Sequence, residues 1–201
     1  MPPHSPDRTP DATPGGPAAS AARHGFARFT RPARRAVTTA GTIALDAGHP
    51  ALTTGVLLLA LAETRPFDLT SFTATREEIG SLVDTGPDAR ALLATLGIDL
   101  DEVRRRTRAS AGDPDRWRLT RSPLRPLRMT LHGPLGSIPL AGHMRKVVEV
   151  ARWRPGPVTG ESLLWGLLAD GGNGTAAILR SAGVDVCGLV RELGMPVRRA
   201  A

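Results

Sequence analysis

The sequence Thr53-Thr54-Gly55-Val56-Leu57-Leu58-Leu59-Ala60-Leu61 decides the fold, because as a helix it would be apolar on every side. A helix without a polar face has to be enclosed by other elements. Either of the two threonines can cap its N-terminus, since a threonine side-chain oxygen accepts a hydrogen bond from a free backbone N–H. The stretch therefore predicts a short helix buried at the centre of the protein.

A longer amphipathic helix is predicted immediately upstream, over residues 31–47. Its apolar residues recur at spacings of three and four, which is typical of a helix with one buried face. Thr30 is the expected N-cap, and Pro32 lies in the first turn, where the missing N–H costs nothing. Gly48 can adopt the left-handed conformation that ends a helix.

Capping signals predict further helices along the chain. Thr75 and Glu78 form a capping-box pattern, so one extra helix is expected inside residues 65–87. Asp88 and Asp99 are expected to open two more helices, which stop near residues 97 and 108. Thr159 is expected to cap a later helix with Glu161 in its first turn, where the helix dipole stabilises a carboxylate.

Two halves of the chain repeat the same order of segments. Residues 34–37 align with 145–148 at an offset of 111, residues 57–61 with 163–167 at 106, and residues 93–100 with 179–186 at 86. The falling offset indicates that the first copy has gained residues between its second and third helices. It also indicates that the first helix of the second copy is shortened.

Composition restricts the class of protein. The chain has 201 residues, of which 41% are hydrophobic and only 3% aromatic, and this balance favours helices over strands. Cys187 is the single cysteine, so no internal disulfide can form, and we expect a buried, unreactive thiol and a cytoplasmic protein. No apolar run reaches the roughly 20 residues of a membrane-spanning helix.

The segments that start the two copies resemble a known family. Residues 26–37 read Phe-Ala-Arg-Phe-Thr-Arg-Pro-Ala-Arg-Arg-Ala-Val, followed by Gly48-His49 and by Thr54-Gly-Val-Leu-Leu-Leu-Ala-Leu61. This order is similar to the Clp N-terminal (Clp repeat) domain of the ClpC and ClpA unfoldases. The resemblance covers residues 26 to about 108 and 138 to about 193.

The resemblance implies an all-α fold, a pseudo-twofold pair of four-helix Clp repeats with an extra helical insertion in the first repeat. The expected domains are a disordered proline-rich tail (1–25), repeat 1 (26–110, insertion at about 65–87), an Arg/Pro-rich linker (111–137), repeat 2 (138–194) and a C-terminal tail (195–201).

The family binds substrates, adaptor proteins or small peptides and passes them to an ATPase ring. No G-x-x-x-x-G-K-[ST] phosphate-binding loop occurs in this chain, so we expect no ATPase activity. The resemblance therefore implies a non-catalytic, monomeric protein-binding module without cofactors. Its expected partners are polypeptide substrates, Clp adaptors or Clp unfoldase subunits, which it would serve as adaptor or decoy.

The resemblance also implies sites for phosphorylated arginine, which in some members use the Thr of F-T and the Glu of G-T-E-H. The first copy keeps Thr30 but has Gly55 for the Glu, and the second keeps Glu161 but has Ala141 for the Thr. Each copy therefore retains one of the two residues.

A second family surface, which binds cyclic peptide antibiotics, corresponds here to Phe26, Leu140 and Arg145. Together with Thr30 and Glu161, these residues form the expected peptide-binding set. Cyclic peptide antibiotics are thus among the candidate ligands.

Five arginines in the linker support a rival hypothesis. They fall within 13 residues with no acidic residue among them, namely Arg116, Arg118, Arg121, Arg125 and Arg128. Such a strip can bind nucleic-acid phosphates, and it is also what a solvated arginine-rich linker looks like. A nucleic-acid-associated protein is the alternative function.

No catalytic or metal-binding set is expected. The five histidines never occur at the helical spacing of a zinc site, and His49 is interpreted as structural. Residues 171–174 are interpreted as a turn rather than a phosphate loop. Trp165 is expected in the core, whereas Trp117 and Trp153 could each be exposed anchors for a partner.

Overall fold

The computed structural model describes residues 25–83, 113–122 and 128–195. Its helices and strands are, in chain order, α1 (Arg31–Asp46), α2 (Thr54–Thr64), α3 (Arg76–Leu82), β1 (Arg118–Arg121), β2 (Met129–Gly133), β3 (Gly136–Pro139), α4 (Gly142–Trp153), α5 (Gly160–Ala169), α6 (Thr175–Ser181) and α7 (Val186–Glu192). Short 3₁₀ turns lie at Pro114–Arg116 and Gly171–Asn173.

Helix α2 is the centre of the core, as its sequence predicts. Every residue from Val56 to Ala62 is buried, and α1, α3, α4, α5 and α6 all pack against it. Burying apolar side chains on all sides of this helix is favourable, so packing against it stabilises most of the surrounding elements. The prediction of a buried central helix is confirmed.

The capping residues define the helix ends in the predicted way. Thr30, Thr53 and Thr159 each accept a hydrogen bond from the third residue after them, and Thr75 forms the capping box with Glu78. Gly48 has φ 70°, the left-handed conformation expected just beyond α1.

The chain segments before the helices of the two copies are joined by equivalent hydrogen bonds. Before α1 and α5, Thr30 N–H donates to Val158 O (2.9 Å) and Val158 N–H donates to Arg28 O (2.7 Å). Before α4 and α2, Ala141 N–H donates to Leu52 O (2.9 Å) and Leu52 N–H donates to Pro139 O (2.8 Å). The two sets correspond at offsets of 111 and 106, the same offsets at which the sequence segments align.

A three-stranded antiparallel sheet in the order β1-β2-β3 lies beside α1. Leu119, Leu131 and Ile138 point inward from the three strands and are fully or almost fully buried. On α1, Gly41 leaves room for the side chains of Leu131 and Trp117. The sheet thus extends the core over the face of α1 that carries small residues.

The all-α expectation is wrong, because this sheet makes the fold mixed α/β. The expectation rests on the family resemblance and on the low aromatic content, with residues 111–137 expected to be an Arg/Pro-rich linker. Short strands that bury one face need only one apolar residue in two, and Arg118-Leu119-Thr120 supplies that alternation. The average composition of the chain does not reveal an alternation of apolar and polar residues as short as this one.

Two predictions about single residues are also wrong. Trp117 is buried with 2% of its surface exposed, since it packs between the sheet and α1. Cys187 is exposed on α7 rather than buried. The helices expected to begin at Asp88 and Asp99 lie outside the described residues, as do residues 1–24 of the expected tail.

We expect replacement of Trp117 by alanine to lower the free energy of unfolding by about 3–5 kcal/mol, because it empties a filled part of the core between sheet and helix. The matched control is Trp153→Ala, since Trp153 is 89% exposed and its loss should change stability by less than about 0.5 kcal/mol. Chemical denaturation followed by circular dichroism measures both. Equal stabilities of the two variants would contradict the packing described.

Candidate functional site

The N-termini of α1 and α5 lie side by side at what we call the α1/α5 junction, formed by residues 28–31 and 158–161. Phe29 and Val158 form a parallel bridge there, so the segments that lead into the two helices run side by side in the same direction. Thr30 is the N-cap of α1, and Glu161 lies in the first turn of α5. Thr30 comes from the first copy of the repeat and Glu161 from the second, and both therefore lie at one junction.

The opposite junction, between α2 and α4, carries neither of these side chains. Leu52 and Leu140 form its parallel bridge, and Gly55 and Ala141 occupy the corresponding helix-start positions. Because each junction combines one helix from each copy, the retained threonine and glutamate share one site and the two replacements share the other. Pairing within one copy, as the sequence analysis assumed, is not what the fold produces.

An arginine cleft opens beside the α1/α5 junction, with a volume of about 620 Å³. It is lined by Arg31, Pro32, Arg35, Thr64, Arg65, Pro66 and Pro114. Pro66 packs against the start of α5 so closely that a Cβ on Gly160 would overlap its carbonyl. Glu161 therefore lies next to the cleft, with Gly160, the first residue of α5, between them.

Arg65 is held in place within this cleft. It has φ 44°, a left-handed conformation that is unusual for a residue other than glycine. Its guanidinium donates to Phe72 O (2.7 Å) and to Ala74 O (2.8 Å) and lies 5.3 Å from the Phe72 ring centre. These contacts fix the positive charge of Arg65 at the cleft wall, so a ligand that binds beside it costs Arg65 little further side-chain entropy.

The C-terminal end of α4 carries Trp153 and is bonded to residue 28 of the junction. The Arg28 guanidinium donates to the carbonyls of Arg152 (2.8 Å), Arg154 (3.0 Å) and Gly156, and Arg154 stacks on the ring of Trp165 at 5.4 Å. Trp153 itself is 89% exposed. An exposed tryptophan is a typical anchor for a protein partner.

The residues expected to bind cyclic peptides are integrated into the core or covered by the sheet. Phe26 is only 3% exposed; its neighbour Gly25 donates to Leu119 O in β1, and Arg34 lies over its ring at 5.5 Å. Leu140 is half-buried and its N–H donates to Met129 O in β2. Arg145 is half-buried on α4.

The linker arginines do not form one strip in the described part of the chain, from which Arg125 is missing. Arg118 lies opposite His132 on the exposed face of the sheet, whereas Arg121 pairs with Glu149 of α4 at 3.3 Å. Arg116 is in the 3₁₀ turn, and Arg128 precedes β2. Residues three apart on a strand point to opposite faces, so these charges are divided between surfaces.

A second polar cluster ties α4 to the end of α5. His143 Nδ1 lies 2.6 Å from Asp170 Oδ2, and Lys146 Nζ lies 3.4 Å from Asp170 Oδ1. The hydrogen bond with His143 holds the pKa of Asp170 below its ordinary value of 3.8, with the positive charge of Lys146 adding to the effect against partial burial. Because its contacts join the start of α4 to the end of α5, we interpret the cluster as structural.

The arginine cleft cannot be found from the sequence pattern. Arg31 and Arg35 belong to the predicted amphipathic helix, and Arg65 begins the predicted insertion. Their spacing of four on a helix does predict a shared face, but nothing in the sequence places Arg65 beside them. The end of α2 has to fold back onto the start of α1 before the three charges meet.

No family model matches the chain, and searches of the curated proteins and of the solved structures also found no match. Among the described residues, no helix has both the length and the apolar character required to cross a bilayer. Within the same residues, no three or more His, Cys, Asp or Glu side chains gather as metal ligands would.

Replacement of Asp170 by asparagine should lower the free energy of unfolding by about 1 kcal/mol at neutral pH, because the pair with His143 and Lys146 is lost. Since the folded-state pKa is lowered, the carboxylate stabilises the fold above pH 3.8 and loses this effect as the pH falls through the folded pKa. Denaturant titrations should therefore show wild type and variant converging in acid. Asp68→Asn, at an exposed position, is the control and should show no such pH-dependent difference.

Proposed function

We propose that the chain is a non-catalytic polypeptide-binding module of the Clp N-terminal-domain type, with a β-sheet inserted between two helical units. Its ligands are polypeptide substrates, adaptors or unfoldase subunits of the Clp system, and it acts in the cytoplasm as a monomeric adaptor or decoy. The α1/α5 junction is the binding site. Thr30 and Glu161, the two residues retained from the family pattern, both lie there.

The junction can bind a polypeptide by complementary polar contacts. Two helix N-termini begin there, and their free N–H groups attract carbonyl or anionic groups of a ligand. Glu161 is half-buried and, among the described residues, forms no ion pair, so its carboxylate is available to a cationic or N–H group. A phosphorylated arginine carries both kinds of group and is one ligand to test.

Trp153 provides the apolar part of the same surface. The backbone around it is joined to residue 28 by three hydrogen bonds, so the end of α4 that carries the ring is fixed beside the junction. A fixed backbone reduces the conformational entropy lost on binding. Cyclic peptides that require an open Phe26 are not part of this proposal, because that ring is sealed under β1.

The test is the affinity of the protein for a labelled, permanently unfolded polypeptide, measured by fluorescence anisotropy. Glu161→Gln should weaken binding roughly tenfold, since a hydrogen bond to a charged group contributes about 1.5–3 kcal/mol. Glu77→Gln is the matched control, because Glu77 is also in the first turn of a helix and is exposed on α3. It should leave the affinity unchanged.

Two results would contradict the proposal. One is Glu161→Gln binding as tightly as wild type. The other is wild-type protein that binds no unfolded polypeptide, no phosphorylated-arginine peptide, no Clp adaptor and no Clp unfoldase. Retardation of nucleic acid that is lost on replacing Arg116, Arg118, Arg121, Arg125 and Arg128 would support the alternative function instead.

A further inference from the structure

We propose that the arginine cleft is a subsite for acidic side chains, so that the module selects polypeptide segments rich in glutamate and aspartate. This inference rests on the proposed function, because it assigns a class of ligand to the surface beside the α1/α5 junction. It is carried by the composition of the cleft, in which all three charged lining residues, Arg31, Arg35 and Arg65, are positive.

Within the described part of the chain, no acidic side chain lines the cleft, and the two acidic residues next in sequence to its lining residues are paired elsewhere. Asp115 follows the lining residue Pro114, but its carboxylate pairs with Arg34, which lines a different pocket. Glu63, adjacent to the lining residue Thr64, pairs with Arg76 at 2.9 Å. Arg31 and Arg35 are both exposed and form no ion pair with any described residue. A carboxylate entering the cleft therefore meets cations that are not already paired there.

The shape of the cleft fits a carboxylate side chain. A guanidinium group presents parallel N–H donors that match the two oxygens of a carboxylate. The walls of the cleft include Pro32, Pro66 and Pro114, whose apolar rings can contact the methylene groups of glutamate. Proline has no backbone N–H, so these residues donate no backbone hydrogen bond to a second anion. A cleft of about 620 Å³ accommodates one or two side chains of an extended segment.

The fold sets where the three arginines emerge around the cleft. Arg31 and Arg35 are one turn apart on α1, so they share a face of a 16-residue helix. The Arg65 guanidinium is fixed by its bonds to the carbonyls of Phe72 and Ala74. Binding of a carboxylate therefore requires no rearrangement of the backbone, and the exposed side chains of Arg31 and Arg35 can turn toward it.

The experiment compares two fluorescein-labelled peptides that alternate glutamate with alanine or glutamine with alanine. Wild-type protein should bind the glutamate peptide at least tenfold more tightly, and added salt should weaken that binding. The double variant Arg31→Ala/Arg35→Ala should lose the preference for glutamate. Its matched control, Arg180→Ala/Arg191→Ala, removes two exposed arginines from α6 and α7. This control should keep the preference for glutamate, although it has the same net charge as Arg31→Ala/Arg35→Ala.

The outcomes separate this inference from the proposed function. Equal binding of both peptides, with unfolded polypeptide still bound, would overturn the cleft assignment alone. Loss of preference in both double variants would also overturn it, because net charge rather than the cleft would then be responsible. A single-stranded oligonucleotide of equal charge that outcompetes the glutamate peptide for wild type, but not for Arg31→Ala/Arg35→Ala, would assign the cleft to nucleic acid. Circular dichroism of each variant verifies that it is folded.

Discussion

The enclosure of α2 is the constraint on which the rest of the structure depends. Its residues from Val56 to Ala62 are buried without interruption, so helices from both halves of the chain have to surround it. Once α1 and α5 are packed on the same central helix, the segments before them come within hydrogen-bonding distance. The α1/α5 junction is therefore a consequence of filling the core.

The hydrogen bonds before the helices join segments from different copies of the repeat. Each junction takes one helix start from either copy, so residues that are 131 positions apart, Thr30 and Glu161, belong to one surface. The other junction has lost both side chains. One junction thus carries both the threonine and the glutamate, and it is flanked by the arginine cleft and by Trp153.

The inserted sheet changes which surfaces remain open. It packs against α1 at Gly41, and Phe26, which the family pattern assigns to a ligand surface, is buried here. The charged side chains that alternate with the buried ones stay outside. The surface to which we assign binding is the rim formed by the starts of α1 and α5 and the end of α2.

The sequence by itself determined the local structure. Caps at Thr30, Thr53, Thr75 and Thr159, and the all-round apolar character of α2, are set by interactions between near neighbours, which a pattern of residues records directly. The tertiary structure alone decided that the Pro/Gly/Arg-rich segment forms strands, that Trp117 is buried, and that Arg65 joins Arg31 and Arg35. Those outcomes depend on contacts between residues far apart in the chain, whose free energies exceed weak local preferences and leave no periodic trace in the sequence.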